Sequence, residues 1–350
     1  MSSSSTAAIV GRAGRRAVLA LCGLLLPWTT VTDVHGAQTI KLATLAPEGS
    51  SWVKALRAID RDVRERTGGE VEFKIYAGGV QGDEDVILRK IRVGQIHAAG
   101  FAGLGVSMVN ADVLALEMPF LFNTYPEVEH VLEKTFDFYR AGYLEAGFEL
   151  LGWADAGFVY LLSQQPVRGQ ADIEGRKVWR MQGEPITEVL FEEMGVTSVP
   201  LAIPDVLLGL QTNLVEVVYA SPAAIIALQW FTRVKCFTDL PINYILGALL
   251  IETRAFERLT EEQRDIVREV AAGHLAAQRR QSQDDNRDAL ELFAREGLTR
   301  VTPPPAEVAV FQDYVRRSEP QLVGQAFSTE AYNMVREHLA EFRQSRSARE

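Results

Sequence analysis

The side chains of this 350-residue chain that could do chemistry are few, and the most suggestive pair is Trp179 and Arg180. A guanidinium is planar and permanently charged, so Arg180 could hold a carboxylate through two parallel hydrogen bonds. An indole beside it could wall the apolar part of the same molecule. That is binding chemistry, and catalysis finds no comparable support. Beyond residue 37, the histidines His97, His130, His274 and His338 are too far apart for an H-x-x-x-H or H-E-x-x-H set of metal ligands. The sequence has no G-x-S-x-G elbow, no G-x-x-x-x-G-K-[ST] phosphate loop and no C-x-x-C pair. Glu192-Glu193 and Asp284-Asp285 read as solvated helix faces. No catalytic residue, metal or cofactor is assigned. The one enzymatic alternative left is a secreted two-lobed α/β hydrolase using dispersed carboxylates.

Residues 173–222, which carry that pair, read as one β-α-β-α-β unit. Lys177-Val178-Trp179-Arg180 is a short strand, and Gly183-Glu184-Pro185 turns into a helix with proline in its first turn. Ile186, Val189, Leu190 and Met194 recur at helical spacing until Gly195 stops them. A strand at 196–200, a helix from Pro204 through Gln211 and a nearly all-apolar strand at 215–220 complete the unit. Strands and helices alternating this closely imply a parallel sheet, whose ligands sit beyond the carboxyl ends of the strands. That rule puts Arg180, Gln182 and Gly183 at one rim of a cleft, with Tyr219 and Ser221 at another.

Upstream, residues 39–45 alternate as a strand, and Pro47-Glu48-Gly49-Ser50 leads into a helix to Arg66. A strand, a glycine loop and a helix start with Ser50 or Ser51 as cap make an anion site, or simply a capped helix. Residues 71–76 form a second strand and 83–93 a helix. Gly100-Phe101-Ala102-Gly103-Leu104-Gly105 has the wrong glycine spacing for a dinucleotide loop, so Phe101 is either a cleft wall or core. Short strands at 150–153 and 158–162 carry the chain into a second lobe, a polar hinge follows at 163–170, and an apolar strand at 245–251 returns. Thr260 and Gln263 make a capping box for a helix reaching Glu296. Its middle, 278–288, is polar all round, as in a helix that is wet between two bodies it bridges; two helices broken near Gly273 are the alternative.

Overall composition bounds the rest. A chain that is 47% hydrophobic and 23% charged is an ordinary globular protein, with room for two lobes. Its formal charge of −10 leaves no basic footprint for nucleic acid. Residues 1–37 read as a cleaved signal peptide: Arg12, Arg15 and Arg16 precede a ten-residue apolar run, and small residues follow at Gly36 and Ala37. Ten residues are too few to span a bilayer, which takes about twenty. The Arg15-Arg16 pair also suits a twin-arginine export signal. Cys22 follows Leu21, a poor lipoprotein context, and its removal leaves Cys236 as the only cysteine, so no internal disulfide forms.

Several segments, in order, resemble the solute-binding proteins of TRAP transporters, the DctP family. They are Glu117-Met118-Pro119-Phe120-Leu121-Phe122, Gly175-Arg176-Lys177-Val178, PLAIPDVLLGLQTNLVEVVYASP ending at Pro222, and Phe237-Thr238-Asp239-Leu240-Pro241. The resemblance runs from about residue 40 to 298. It implies an α/β, two-lobed periplasmic-binding-protein-like fold, with a cleft between the lobes and a long helix spanning both. It also implies a periplasmic protein that captures a small organic acid and hands it to a TRAP-type, ion-gradient-driven permease of small and large membrane subunits. A binding protein serving a sensor partner is a further alternative. In that family the loop at Ser50 and Trp52 faces the ligand, and an arginine two residues after the lysine anchors the ligand carboxylate. Here Trp179 occupies that position, with Arg180 one step later. Either Arg180 anchors the acid, or a constellation including Trp179 selects a different one. Strand alternation favours Trp179 on the cleft side, and together with Trp52, Trp153 and Trp230, all near segments assigned to the cleft, it suits a more apolar acid. Asn243 completes the candidates. The expected division is 38–160 plus 245–258 in the first lobe and 161–244 plus 300–342 in the second. Residues 260–297 form the spanning helix and 343–350 a disordered tail. The chain is expected to be a monomer.

Overall fold

The structure is a computed structural model that describes residues 37–347; the expected signal peptide lies outside the described residues. Among the described residues, ten strands follow in chain order. The first five are β1 (Gln38–Thr44), β2 (Val71–Tyr76), β3 (Ala98–Ala102), β4 (Phe148–Ser163) and β5 (Val178–Met181). The others are β6 (Ser198–Leu201), β7 (Val217–Ala220), β8 (Cys236–Thr238), β9 (Asn243–Glu252) and β10 (Thr299–Val301). They join in the order β2-β1-β3-β9-β4-β7-β5-β6, with β8 and β10 attached beside the end of β4. As expected, β5 pairs in parallel with both β6 and β7. β1 likewise pairs in parallel with β2 and β3. Two α/β lobes therefore stand on a shared antiparallel pair, β4 and β9.

β4 is one strand where two were expected. It pairs with β9 from Phe148 to Val159 and then with β7 from Tyr160 to Ser163, so it passes from one lobe to the other without a break. The residues between the two apolar runs read as an interruption, but a bulge between Asp155 and Gly157 absorbs them, and a second bulge lies between Leu150 and Gly152. Gly157 has φ 104, and a Cβ there would fall 2.3 Å from Nδ2 of Asn286. Only glycine suits both the conformation and the space.

The helix Glu261–Arg295 is continuous over 35 residues and opens with the Thr260–Gln263 capping box. Its polar middle is not wet on every side. Gln278, Ser282 and Asn286, spaced four residues apart, are each at most 4% exposed. They face the bulged stretch of β4, whose pairing with β9 is irregular and leaves backbone groups to satisfy. Gln278 both donates to and accepts from the Asp155 backbone, the Ser282 hydroxyl donates to the Asp155 carbonyl, and the Asn286 amide donates to the Ala156 carbonyl. The Asn286 carbonyl also accepts from the Ala223 amide, beyond β7. One stripe of amides and a hydroxyl thus ties the helix to the crossover and to the second lobe.

The C-terminal part differs from expectation. The helix Pro305–Leu322 packs on Pro185–Glu193, but Thr329–Ser347 packs on Tyr125–Glu145, beside the first-lobe sheet. Residues 343–347, expected to be a disordered tail, belong to this helix. There Arg343 pairs with the buried Glu127 at 2.8 Å and donates to the Leu121 carbonyl.

Candidate ligand-binding site

An open cleft of about 660 Å³ lies at the carboxyl ends of β1 and β3, facing the loop after β7 and the long helix. Its first-lobe wall is the start of the helix Ser51–Arg66. Ser50 caps that helix by accepting from the Val53 amide at 3.3 Å, and the amides ahead of Val53 in the first turn have no intrahelical partner. Trp52 packs against two glycines. A Cβ on Gly247 would fall 2.3 Å from the indole, and one on Gly100 would lie 3.4 Å from it. The indole N–H donates to the Asp155 carbonyl at 3.0 Å, so this wall is fastened to the crossover strand. Opposite stand Ser221, Ala223 and Ala224. Arg295 is the only basic side chain lining this cleft among the described residues, and it is exposed and unpaired. The nearby Asp285 and Asp288 already engage Gln281 and Arg287.

A second, more enclosed chamber of about 100 Å³ lies between the lobes. The two spaces adjoin at the strand ends, where Ala102 and Ser221 line the open cleft while Gly103 and Tyr219 line the chamber. Most of its lining is apolar, including Phe120, Met181, Leu190 and Ile245, with Glu117, Glu184, Thr187, Tyr219, Thr238 and Asn243 as polar members. The Tyr219 hydroxyl accepts from the Met181 amide and donates to Thr187. Glu184 caps its helix through the Ile186 and Thr187 amides. Glu117 accepts from the Leu246 amide at 2.9 Å, and burial pushes its pKa up to about 8. Glu84, near the cleft, accepts from the Ala102 and Gly105 amides, yet burial raises it to about 7. Desolvation outweighs the hydrogen bonds in both, so Glu117 is mostly protonated at neutral pH and Glu84 titrates around it. Asn243 has its Oδ1 enclosed without a partner.

The sequence candidates divide accordingly. Ser50, Trp52 and Ser221 line the cleft, and Tyr219 and Asn243 line the chamber. Phe101 is fully buried in the first-lobe core, and Trp153 is 3% exposed against Tyr139 and Tyr143. Trp179 lines neither space. It is 2% exposed, donates to the Leu201 carbonyl at 3.0 Å, and packs on Tyr219 and Trp230 with ring centroids 4.8 and 5.2 Å away. Strand alternation was the wrong guide there, because the face of β5 bearing Trp179 is covered by the core of its own lobe. Arg180 lines neither space; its nearest acid is Glu188, at 3.3 Å. Gln182 and Gly183 are exposed in the turn beyond. Sequence reasoning gave no role to Glu117, Glu184 or Arg295. A carboxylate inside the apolar run Val113-Leu114-Ala115-Leu116-Glu117-Met118-Pro119-Phe120 was the available signal for the first.

Known proteins resemble this one in both sequence and fold. The chain is 25% identical over 239 residues to the 2,3-diketo-L-gulonate-binding periplasmic protein of Escherichia coli (strain K12), covering 66% of this chain and 71% of that one. Its fold matches a TRAP periplasmic solute binding protein from Xanthobacter autotrophicus Py2 with bound β-D-galacturonate. The TM-score is 0.80 at 20% identity, over 86% of this chain and 99% of the other. A TRAP periplasmic solute binding protein from Desulfovibrio salexigens with bound orotic acid matches with TM-score 0.80 at 18% identity, over 87% and 99%. The family model described as bacterial extracellular solute-binding protein, family 7, matches residues 42–321, and the chain belongs to that family, DctP.

Proposed function

We propose that this protein captures a small organic acid between its lobes and delivers it to a TRAP-type, ion-gradient-driven permease with small and large membrane subunits. The observation that carries the reading is the cleft itself. It lies where parallel strands of both lobes end, with free helix-start amides on one wall and Arg295 at its edge. Relatives bind diketogulonate, galacturonate and orotate, all carboxylates at neutral pH. β4, β9 and the long helix run through both lobes; rotation about them opens and closes the cleft, and closure reports occupancy to the permease. The binding step changes no covalent bond in the ligand. The mature protein works as an exported monomer after residues 1–37 are removed, by the general or the twin-arginine route. The test is native purification followed by mass spectrometry of the released small molecule. An intact organic acid at one equivalent per chain is expected; a non-acidic ligand would refute the carboxylate reading.

A further inference from the structure

The enclosed chamber differs from the open cleft in one respect that bears on ligand identity: no lysine, arginine or histidine lines it among the described residues. A carboxylate placed there would lose its water and gain no counter-ion, which strongly disfavours it. Glu117 beside it, protonated near neutrality, would have to ionise or donate. What fits the chamber is therefore the uncharged end of a ligand.

We infer that this end is an apolar group the size of a branched alkyl chain or a single ring, carrying one hydroxyl at most. The inference rests on the reading just proposed and narrows its ligand class. Volume sets the size, since an apolar cavity of about 150 Å³ accommodates benzene and this one is about 100 Å³. The polar inventory sets the hydroxyl count. Tyr219 and Thr187 are bonded to each other, the Thr238 hydroxyl donates to the Val167 carbonyl, and both oxygens of Glu184 are taken by the cap. That leaves the second oxygen of Glu117 and the carboxamide of Asn243, whose Oδ1 is enclosed and unpartnered. A sugar acid carries several hydroxyls, and each one buried without a partner weakens binding by roughly tenfold. Two free groups cannot serve them. A single hydroxyl would find Asn243 as acceptor and Glu117 as its second partner. The chamber lies between Gly103, Leu104 and Phe120 of one lobe and Val178, Met181 and Tyr219 of the other, so parting the lobes opens it to the ligand.

Calorimetric titration of the full mature chain tests this with two sets of acids: D-galacturonate and D-glucuronate, against 4-methylpentanoate, phenylacetate and 4-hydroxyphenylacetate. The tightest of the second set is expected to bind at least about 100-fold more strongly than either uronate, the equivalent of two unpaired hydroxyls. A uronate that binds as tightly or more tightly overturns the inference and leaves the organic-acid reading standing. Binding of neither set overturns it as well, and if the molecule released from natively purified protein then lacks a carboxyl group, the broader reading falls with it. Asn243→Ala supplies a readout independent of fold. The preference for 4-hydroxyphenylacetate over phenylacetate should drop by about tenfold, the value of one hydrogen bond. An unchanged ratio contradicts the role given to Asn243.

Discussion

Gln278 grips Asp155 by both of its backbone groups: its side-chain oxygen accepts from the Asp155 amide and its side-chain nitrogen donates to the Asp155 carbonyl, each at 3.0 Å. The contact spans 123 residues of sequence and lies at the bulge where β4 crosses between lobes. A glutamine in an apparently solvated helix face is thus a fastening of the crossover to the long helix.

Replacing Gln278 by leucine should therefore do more than remove a surface polar group. The Asp155 amide would be left buried and unpaired, while its carbonyl keeps Trp52 and Ser282. The expected loss is about 1–3 kcal/mol, read as a lower urea midpoint at unchanged slope. A midpoint equal to that of the unmodified protein would show the contact to be dispensable.

Trp179 and Arg180 should separate by the kind of defect they cause. Trp179→Ala empties a site in the second-lobe core and is expected to cost about 3–5 kcal/mol of stability. Arg180→Ala breaks a pair whose acid, Glu188, is largely exposed, so it should cost less than about 1 kcal/mol. Thermal unfolding of the two variants side by side checks the order. If Arg180→Ala folds normally yet abolishes binding, Arg180 reaches the ligand on closure and anchors it.

Stability should fall with rising pH through the buried acids. Glu117 titrates near 4.5 when unfolded and at about 8 when folded, and Glu84 moves in the same direction to about 7. Between those values the folded state holds protons that the unfolded state has released. Their stabilising contribution is complete below about pH 4.5 and is lost as pH rises through 7 to 8. Glu117→Gln keeps an acceptor for the Leu246 amide and removes the titration, so its stability profile over pH 5–8.5 should be flatter than that of the parent. Parallel profiles would count against a protonated Glu117.

Gly247→Ala probes the seat of Trp52. The added methyl would sit 2.3 Å from the indole, so the ring must lift off β9 and its bond to the Asp155 carbonyl must stretch or break. Affinity for the natural acid should drop at least tenfold, with a stability loss of roughly 1–3 kcal/mol. A variant with unaltered binding would remove Trp52 from the cleft wall.

Much of the scaffold was legible because local signals agreed with the global fold. The β-α-β-α-β unit, the capped entrance at Ser50 and the long helix opened by Thr260 each rest on turn, cap or periodicity rules that act over a few residues. The site was harder to read. Trp179 looked like a cleft residue because alternation gives the face but not what covers that face, and here Trp230, some 50 positions on, covers it. Gln278, Ser282 and Asn286 looked solvated because their partners are backbone groups of a bulged strand, and a backbone group has no side-chain signature. The unbroken β4 was hidden for the same reason. Glu117 was visible as an oddity in an apolar run, yet its protonated state follows from burial that only the assembled lobes create.

The central claim is that an organic acid is bound unchanged between the two lobes, and a crystal structure of the protein with its natively co-purified molecule tests it most directly. The account predicts one acid per chain, its carboxylate in the cleft near the Ser51–Arg66 helix start and Arg295, and its uncharged end beside Tyr219 and Asn243. Density for the molecule outside these two spaces, or an empty cleft in protein shown to carry one equivalent of ligand, would contradict it.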